Sequence, residues 1–256
     1  MPPRTLILHA SGTNRDRDVA YACELAGGLP EIVHVNRLRS GERCFSEYQM
    51  LIVPGGFSYG DALGAGRLLA LDLRTYFADQ VGEFVDAGKP VLGICNGFQA
   101  LVQAGILPGD GVRATLTHNR SGRFECRWVA LAPADDSPCI WTRGLSGTIH
   151  CPVAHGEGQF VPASEGALAA LRDRHSIALT YCTEDGTSAG LAYPANPNGS
   201  VADIAGVCNS DGNVLGLMPH PEDAVLETQL PRWTRGDRKG LGLALFENGI
   251  RYAGEC

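Results

Sequence analysis

The chain has 256 residues, 44% of them hydrophobic and 19% charged, with a formal net charge of −7 and a pI near 5.5. That length supplies one large domain or two small ones with a full core, and the acidic balance excludes nucleic acid as the main partner, because phosphate binding needs a clustered basic surface. No apolar window approaches the roughly 18 to 20 residues that span a bilayer, and residues 1–10 lack the apolar length of a secretory signal, so the sequence reads as cytoplasmic and free of the membrane.

Residues 5–10 form a short apolar run, followed by polar residues and a helical pattern over 15–25. Further apolar runs occupy 31–35, 49–53 and 90–94, and a long helical pattern fills 66–87 between the last two. Continuous apolar strands alternating with helices indicate β-α-β units and a parallel sheet covered on both faces. After Gly111 the texture changes, and 114–118, 124–132, 147–153, 158–161 and 177–182 read as β segments between short polar turns. These are expected as antiparallel or mixed additions to the same sheet. No linker rich in Ser, Gly or Pro divides the chain and no repeat recurs, so 1–256 reads as a single domain. The run 214–218 ends another strand, 225–240 form a charged excursion, and 241–252 a final helix or strand. Within the excursion, the basic stretch 232–239 is interrupted by Asp237 and reads as a solvated loop.

The nine cysteines are scattered, odd in number and without a C-x-x-C pair. Neither a disulfide framework nor a zinc ribbon fits, and most read as small buried hydrophobes. Cys95 differs by its setting. Gly93-Ile94-Cys95-Asn96-Gly97 has the form G-x-nucleophile-x-G where an apolar run meets a helical pattern, which is a nucleophile elbow. The sharp bend lifts the sulfur into the crevice beyond the strand ends, at a helix N-terminus whose dipole favours the thiolate. The alternative is a buried cysteine in a tight packing turn.

Pro54-Gly55-Gly56 follows another apolar run. Its glycines can turn a backbone N–H toward Cys95 and, with the Asn96 N–H, form an oxyanion hole; a plain turn is the alternative. The spacing fits neither a phosphate loop nor a dinucleotide fingerprint, so no cofactor and no metal is expected in this chain. Among the seven histidines, His9 and His34 lie in apparent strands, and His118, His150 and His175 carry no supporting pattern. His220 ends the run 214–218, and in His220-Pro221-Glu222 the proline favours an extended segment on which His220 and Glu222 project to one side, with the carboxylate on Nδ1. A proline-rich surface turn is the alternative. His155-Gly156-Glu157 matches the H-x-E of zinc deaminases, but no P-C-x-x-C follows, so its glycines are read as letting backbone groups approach a ligand or partner.

Gly-Gly-Phe-Ser-Tyr-Gly-Asp at 55–61, Gly-Ile-Cys-Asn-Gly-Phe-Gln at 93–99, Pro-Val-Ala-His-Gly-Glu-Gly at 152–158 and Gly-Leu-Met-Pro-His-Pro-Glu at 216–222 together resemble the glutaminase subunits of phosphoribosylformylglycinamidine synthase, class I glutamine amidotransferases of purine biosynthesis. The resemblance implies an α/β, flavodoxin-like fold: a mostly parallel central sheet, helices on both faces and added antiparallel strands. It implies hydrolysis of L-glutamine through a thioester on Cys95, with His220 as base and Glu222 as its orienter. Gly56 and Asn96 would donate to the oxyanion, and Gln99, Gly55 and His155 would hold the substrate. Ammonia would pass to a synthetase subunit carrying ATP and Mg, often with a small third subunit. A cysteine hydrolase or peptidase of the same fold, and a regulatory subunit without activity, are the rival readings; the intact Cys95, His220 and Glu222 speak against the latter. The chain departs from the family pattern at Ala62-Leu63-Gly64-Ala65-Gly66 and is longer around 134–150 and 225–240. These departures lie outside the three catalytic positions and bear on partner contacts.

Overall fold

Strands β1 (Arg4–His9), β2 (Leu29–His34), β3 (Met50–Val53) and β4 (Val91–Ile94) form the N-terminal half of the sheet in the computed structural model, which describes residues 1–236, 238 and 240–255. Helices α1 (Asp16–Leu25) and α2 (Val35–Arg39), then α3 (Arg67–Thr75) and α4 (Ala78–Asp86), connect them, and α5 (Asn96–Ala104) follows β4. The rest of the chain supplies β5 (Ala114–Thr117), β6 (Glu125–Pro133), β7 (Ile149–His155), β8 (Gln159–Pro162), α6 (Glu165–Asp173), β9 (Ile177–Cys182), β10 (Ile204–Cys208), β11 (Val214–Leu217) and α7 (Leu243–Ala253).

Nine strands share one sheet in the order β2-β1-β3-β4-β11-β10-β9-β6-β7. Pairing is parallel from β2 through β1, β3 and β4 to β11, and antiparallel from β11 onward. The central parallel strands are apolar because both faces are covered: Leu6 to Leu8, Leu51 to Val53, Val91, Leu92, Val214 and Leu215 are at most 1% exposed, whereas β2, at the sheet edge, buries only Val33 fully. Helix α1 packs against α7, and α3 against α4 and α5. No helix among the described residues is long and apolar enough to cross a membrane.

The structure corrects several expectations. The helix expected over 66–87 is two, α3 and α4, because the chain leaves helical geometry at Phe77 (φ −117°, ψ 9°) to bury that ring against Phe45, 5.6 Å between centroids. The β segments after Gly111 do not all join the main sheet: β5 and β8 pair with each other in a separate two-stranded sheet. Val35, expected at a strand end, opens α2, whose N-terminus is capped by the His34 ring accepting from the Asn36 N–H. Helix α6 and strand β10 were not anticipated, although Ser164 caps α6 by accepting from the Ala167 N–H and all of β10 is buried. The final element is a helix, and the excursion at 225–240 contains short 3-10 turns at Glu227–Gln229 and Trp233–Arg235. Asp237 and Lys239 of the basic stretch, and Cys256, lie outside the described residues.

The topology fixes where chemistry can occur. Strands β3, β4 and β11 are parallel neighbours in register, with Val53 beside Gly93 and Leu217 beside Ile94, so their C-terminal ends open on the same edge. The loops that follow carry Gly55-Gly56, Cys95 and His220.

Candidate active site

Cys95 joins β4 to α5 at φ 50° and ψ −105°, a left-handed backbone rarely taken by a non-glycine residue and strained at a cost of order 1–3 kcal/mol. Both flanking glycines are required by close approach. A Cβ on Gly97 would sit 1.8 Å from the Val53 carbonyl oxygen, and one on Gly93 would meet Leu101 Cδ1 at 2.5 Å and the Gly97 backbone at 3.1 Å. The Cys95 N–H is tied to Leu217 O at 2.8 Å, its side chain is 6% exposed, and Sγ lies 3.8 Å from Ala154 O.

His220 and Glu222 are 2% and 1% exposed, and His220 Nδ1 lies 2.7 Å from Glu222 Oε1. The expected pairing is present, but its geometry is not an extended segment. Pro221 begins a 3-10 turn over Pro221–Asp223 that folds the carboxylate back toward the ring, closed by the Asp223 N–H on His220 O at 3.2 Å. Burial acts to lower the His220 pKa, but the Glu222 carboxylate and Cys95 prevail and hold it well above its ordinary value of 6.5. With Nδ1 on the carboxylate, Nε2 is left for the sulfur. Asp223 bonds Arg15 at 3.0 Å, and burial, helped by the Glu222 charge, raises its carboxyl to about 6. His220, Glu222 and Asp223 offer ligand atoms within 4.8 Å of one another, a spacing open to a metal, but His220 is already bonded to Glu222 and Asp223 to Arg15.

Gly56 has φ 128°, and a Cβ there would lie 2.7 Å from the Asn14 backbone nitrogen, so only glycine fits. Among the described residues its N–H bonds no acceptor, and the Asn96 N–H, in the first turn of α5, lacks an intrahelical partner. Gly56 lines both cavities that Cys95 borders, and Asn96 follows Cys95 directly in the chain. A Cβ on Gly55 would meet His220 Cε1 at 2.7 Å, so its absence lets the imidazole approach.

Two cavities flank Cys95. One of 190 Å³ is bordered by Gly56, Asp61, Cys95, Gln99, His155 and Glu157, and another of 330 Å³ by Asn14, Arg15, Gly56, Cys95 and His220; Phe57 and Phe124 edge both. A larger one of 610 Å³, lined by Arg67, Arg74 and Arg113, holds none of the catalytic candidates. Gln99 reaches the smaller cavity, where its Nε2 donates to Glu157 O at 2.6 Å and its Oε1 accepts from Asn96 Nδ2 at 3.2 Å. It braces the wall. His155, expected in the turn between the β segments 147–153 and 158–161, is the last residue of β7 and 3% exposed. Burial, with the His220 charge, lowers its pKa to about 4, and its ring packs where a Cβ on Gly158 would stand, 2.3 Å away. The structure thus brings all the expected site residues to one sheet edge. It adds Ser58, Asp61, Asn119 and Glu157, three of which lay in the motifs quoted above without an assigned role.

The chain matches the family model described as the CobB/CobQ-like glutamine amidotransferase domain over residues 2–253. It is 53% identical to phosphoribosylformylglycinamidine synthase subunit PurQ of Treponema denticola, covering 98% of this chain and 99% of that one, and 44% identical to the subunit of the same name from Dehalococcoides mccartyi, covering 98% and 97%. Among solved structures, a chain of PurLQS from Thermotoga maritima is similar at 32% identity and a TM-score of 0.75, covering 98% of this chain and 99% of that one.

Proposed function

The chain belongs to the glutamine amidotransferase family, and from that membership we propose that it is the glutaminase subunit of phosphoribosylformylglycinamidine synthase, releasing ammonia from L-glutamine for the synthetase subunit of purine biosynthesis. The observation that carries the chemical assignment is the strained elbow at Cys95 beside a buried His220–Glu222 pair at 2.7 Å.

In this assignment Cys95 Sγ attacks the carboxamide carbon and the oxyanion is met by the N–H groups of Gly56 and Asn96. His220 Nε2 delivers its proton to the departing amine, so that ammonia leaves and a γ-glutamyl thioester remains. The now neutral Nε2 takes a proton from water, the hydroxide adds to the thioester carbon, and glutamate leaves as the sulfur recovers its electron pair. Glu222 fixes the imidazole tautomer and stabilises the imidazolium. The sum is glutamine plus water giving glutamate plus ammonia.

The reading takes 1–256 as one amidotransferase domain, supported by a nine-stranded sheet that draws strands from both halves. ATP and Mg are assigned to the synthetase, a small third subunit to the assembly, and the cytoplasm to the location. The test is to quench the complex of chain and synthetase during glutamine turnover and determine the mass of the Cys95 peptide. A γ-glutamyl adduct on that peptide supports the assignment; an adduct elsewhere, or turnover with none, contradicts it.

A further inference from the structure

The 610 Å³ cavity between α3, the end of α5 and β5 has no part in the chemistry assigned to Cys95, and its charge is the reverse of the chain's. Arg67 and Arg74 stand two turns apart on one face of α3, and Arg113, just before β5, borders the same cavity. The chain as a whole carries a net charge of −7. Elsewhere a single carboxylate gathers several arginines, as Glu31 does with Arg4, Arg37 and Arg43. Around this cavity the proportion is inverted: among the described residues Glu157 is the one carboxylate at its border, and none of the three guanidiniums has an ion pair or a hydrogen bond. A cleft lined by one sign of charge focuses the field and concentrates the opposite ion.

The guanidiniums are set by the backbone around them. Gly64 has φ 113°, and a Cβ there would lie 3.0 Å from Arg67 Nε, so the arginine rests on backbone that glycine leaves open. The carbonyl of Arg113 accepts from the Ala163 N–H at 2.9 Å, which fixes the chain from which the third guanidinium projects. The C-terminal carbonyls of α5 would repel an anion, but Leu101 O and Val102 O are occupied by the N–H groups of Ile106 and Gly105 at 3.0 and 3.1 Å. Gln103 Nε2 donates to Ala65 O at 2.7 Å, which leaves the guanidiniums as the principal donors.

The lining also discriminates between kinds of occupant. It contains neither an aromatic residue nor a methionine, in which the cores of protein interfaces are enriched. Its volume is that of a small-molecule site. Guanidinium forks match phosphate oxygens two at a time, and three of them suit more than one phosphate.

We propose that this cavity binds a small anion carrying two or more phosphate groups, held by Arg67, Arg74 and Arg113. The inference does not depend on the glutaminase reading. The test is titration calorimetry of the full chain with orthophosphate, tripolyphosphate and ATP at physiological ionic strength, where diffuse surface attraction is screened. Tripolyphosphate binds at least about tenfold more tightly than orthophosphate, and Arg67→Gln, Arg74→Gln and Arg113→Gln each weaken it about tenfold. All three residues are exposed, so the substitutions leave the core intact, and Arg17→Gln, exposed on α1 and outside the lining, changes the affinity less than twofold. ATP binding tighter than tripolyphosphate identifies a nucleotide as the occupant, and weaker binding identifies the phosphate chain alone; either supports the site. Equal affinity for orthophosphate and tripolyphosphate, or tripolyphosphate binding that survives the three substitutions, overturns the inference. A wild type that binds neither anion overturns it too, and weakened association of the Arg67→Gln chain with the synthetase would then mark a protein contact.

Discussion

Glu222→Gln keeps the size of the buried side chain and removes its charge. The 2.7 Å contact with His220 Nδ1 is charge-assisted and lies in a setting almost closed to water. A hydrogen bond to a charged group contributes about 1.5–3 kcal/mol and a neutral one about 0.5–1.5. The exchange therefore costs about 1–1.5 kcal/mol even if the amide oxygen faces the ring, or roughly tenfold in kcat. If the amide NH2 turns to Nδ1 the wrong tautomer results, a change that costs about 10⁴ in serine proteases. Glu222 is the leading influence that raises His220 against burial, so its neutral replacement lets the imidazole titrate at lower pH. The sign for stability follows: a histidine raised above its ordinary 6.5 stabilises the fold in full below that value and loses the contribution as pH rises through its folded value. The variant is thus most destabilised relative to wild type at pH 6 and below, and least in alkali. Glutaminase kcat in the complex, NMR titration of His220 and denaturant melts across pH measure the three effects. A kcat within threefold of wild type together with an unmoved His220 titration would refute the orienting role of Glu222.

His220→Ala lowers kcat by about 10² or more, as for loss of a general acid–base group, whereas His155→Ala acts mainly on glutamine binding or partner coupling; equal losses in steady-state kinetics would contradict the assignment. His155 titrates near 4 in the fold against 6.5 ordinarily, so the unfolded chain takes its proton first as pH falls, and up to about 3 kcal/mol of stability is lost between those values. Urea melts of His155→Gln at pH 4.5 and 7 show a shallower acid slope than wild type, and an unchanged slope would count against this burial effect. Gly97→Ala, whose Cβ would meet a carbonyl oxygen at 1.8 Å, costs at least about 3 kcal/mol because the obstacle is backbone. Gly82→Ala, in helix α4 with nothing within 4 Å, stabilises by about 0.5–1 kcal/mol, and thermal melts of the two check both signs.

The parallel half of the fold was legible because its central strands are buried on both faces and so stand in the sequence as apolar runs. The candidate catalytic residues were legible because they follow apolar runs, and adjacent parallel strands deliver the following loops to one edge. What escaped the sequence depends on contacts between distant residues. The break at Phe77 has no glycine or proline to mark it, and the 3.6-residue period continues on either side, so only the pocket beside Phe45 reveals it. Strand β10 is a five-residue run containing Gly206, where a Cβ would meet Gly216 O at 2.9 Å, and its strand character comes from pairing with β9 and β11. The pairing of β5 with β8 spans more than forty residues and carries no local mark of which sheet it joins. Gln99 was legible as a site residue but not as a brace, since the Glu157 carbonyl that engages its amide lies 58 positions away.

The central claim is that this chain's chemistry ends with the release of ammonia from glutamine at Cys95. It is tested most directly by assaying the assembled synthase carrying Cys95→Ala with glutamine and, separately, with added ammonium salt as the nitrogen source. The account predicts that glutamine-dependent synthesis is lost while ammonia-dependent synthesis continues at the wild-type rate. Glutamine-dependent synthesis that survives the substitution would contradict it.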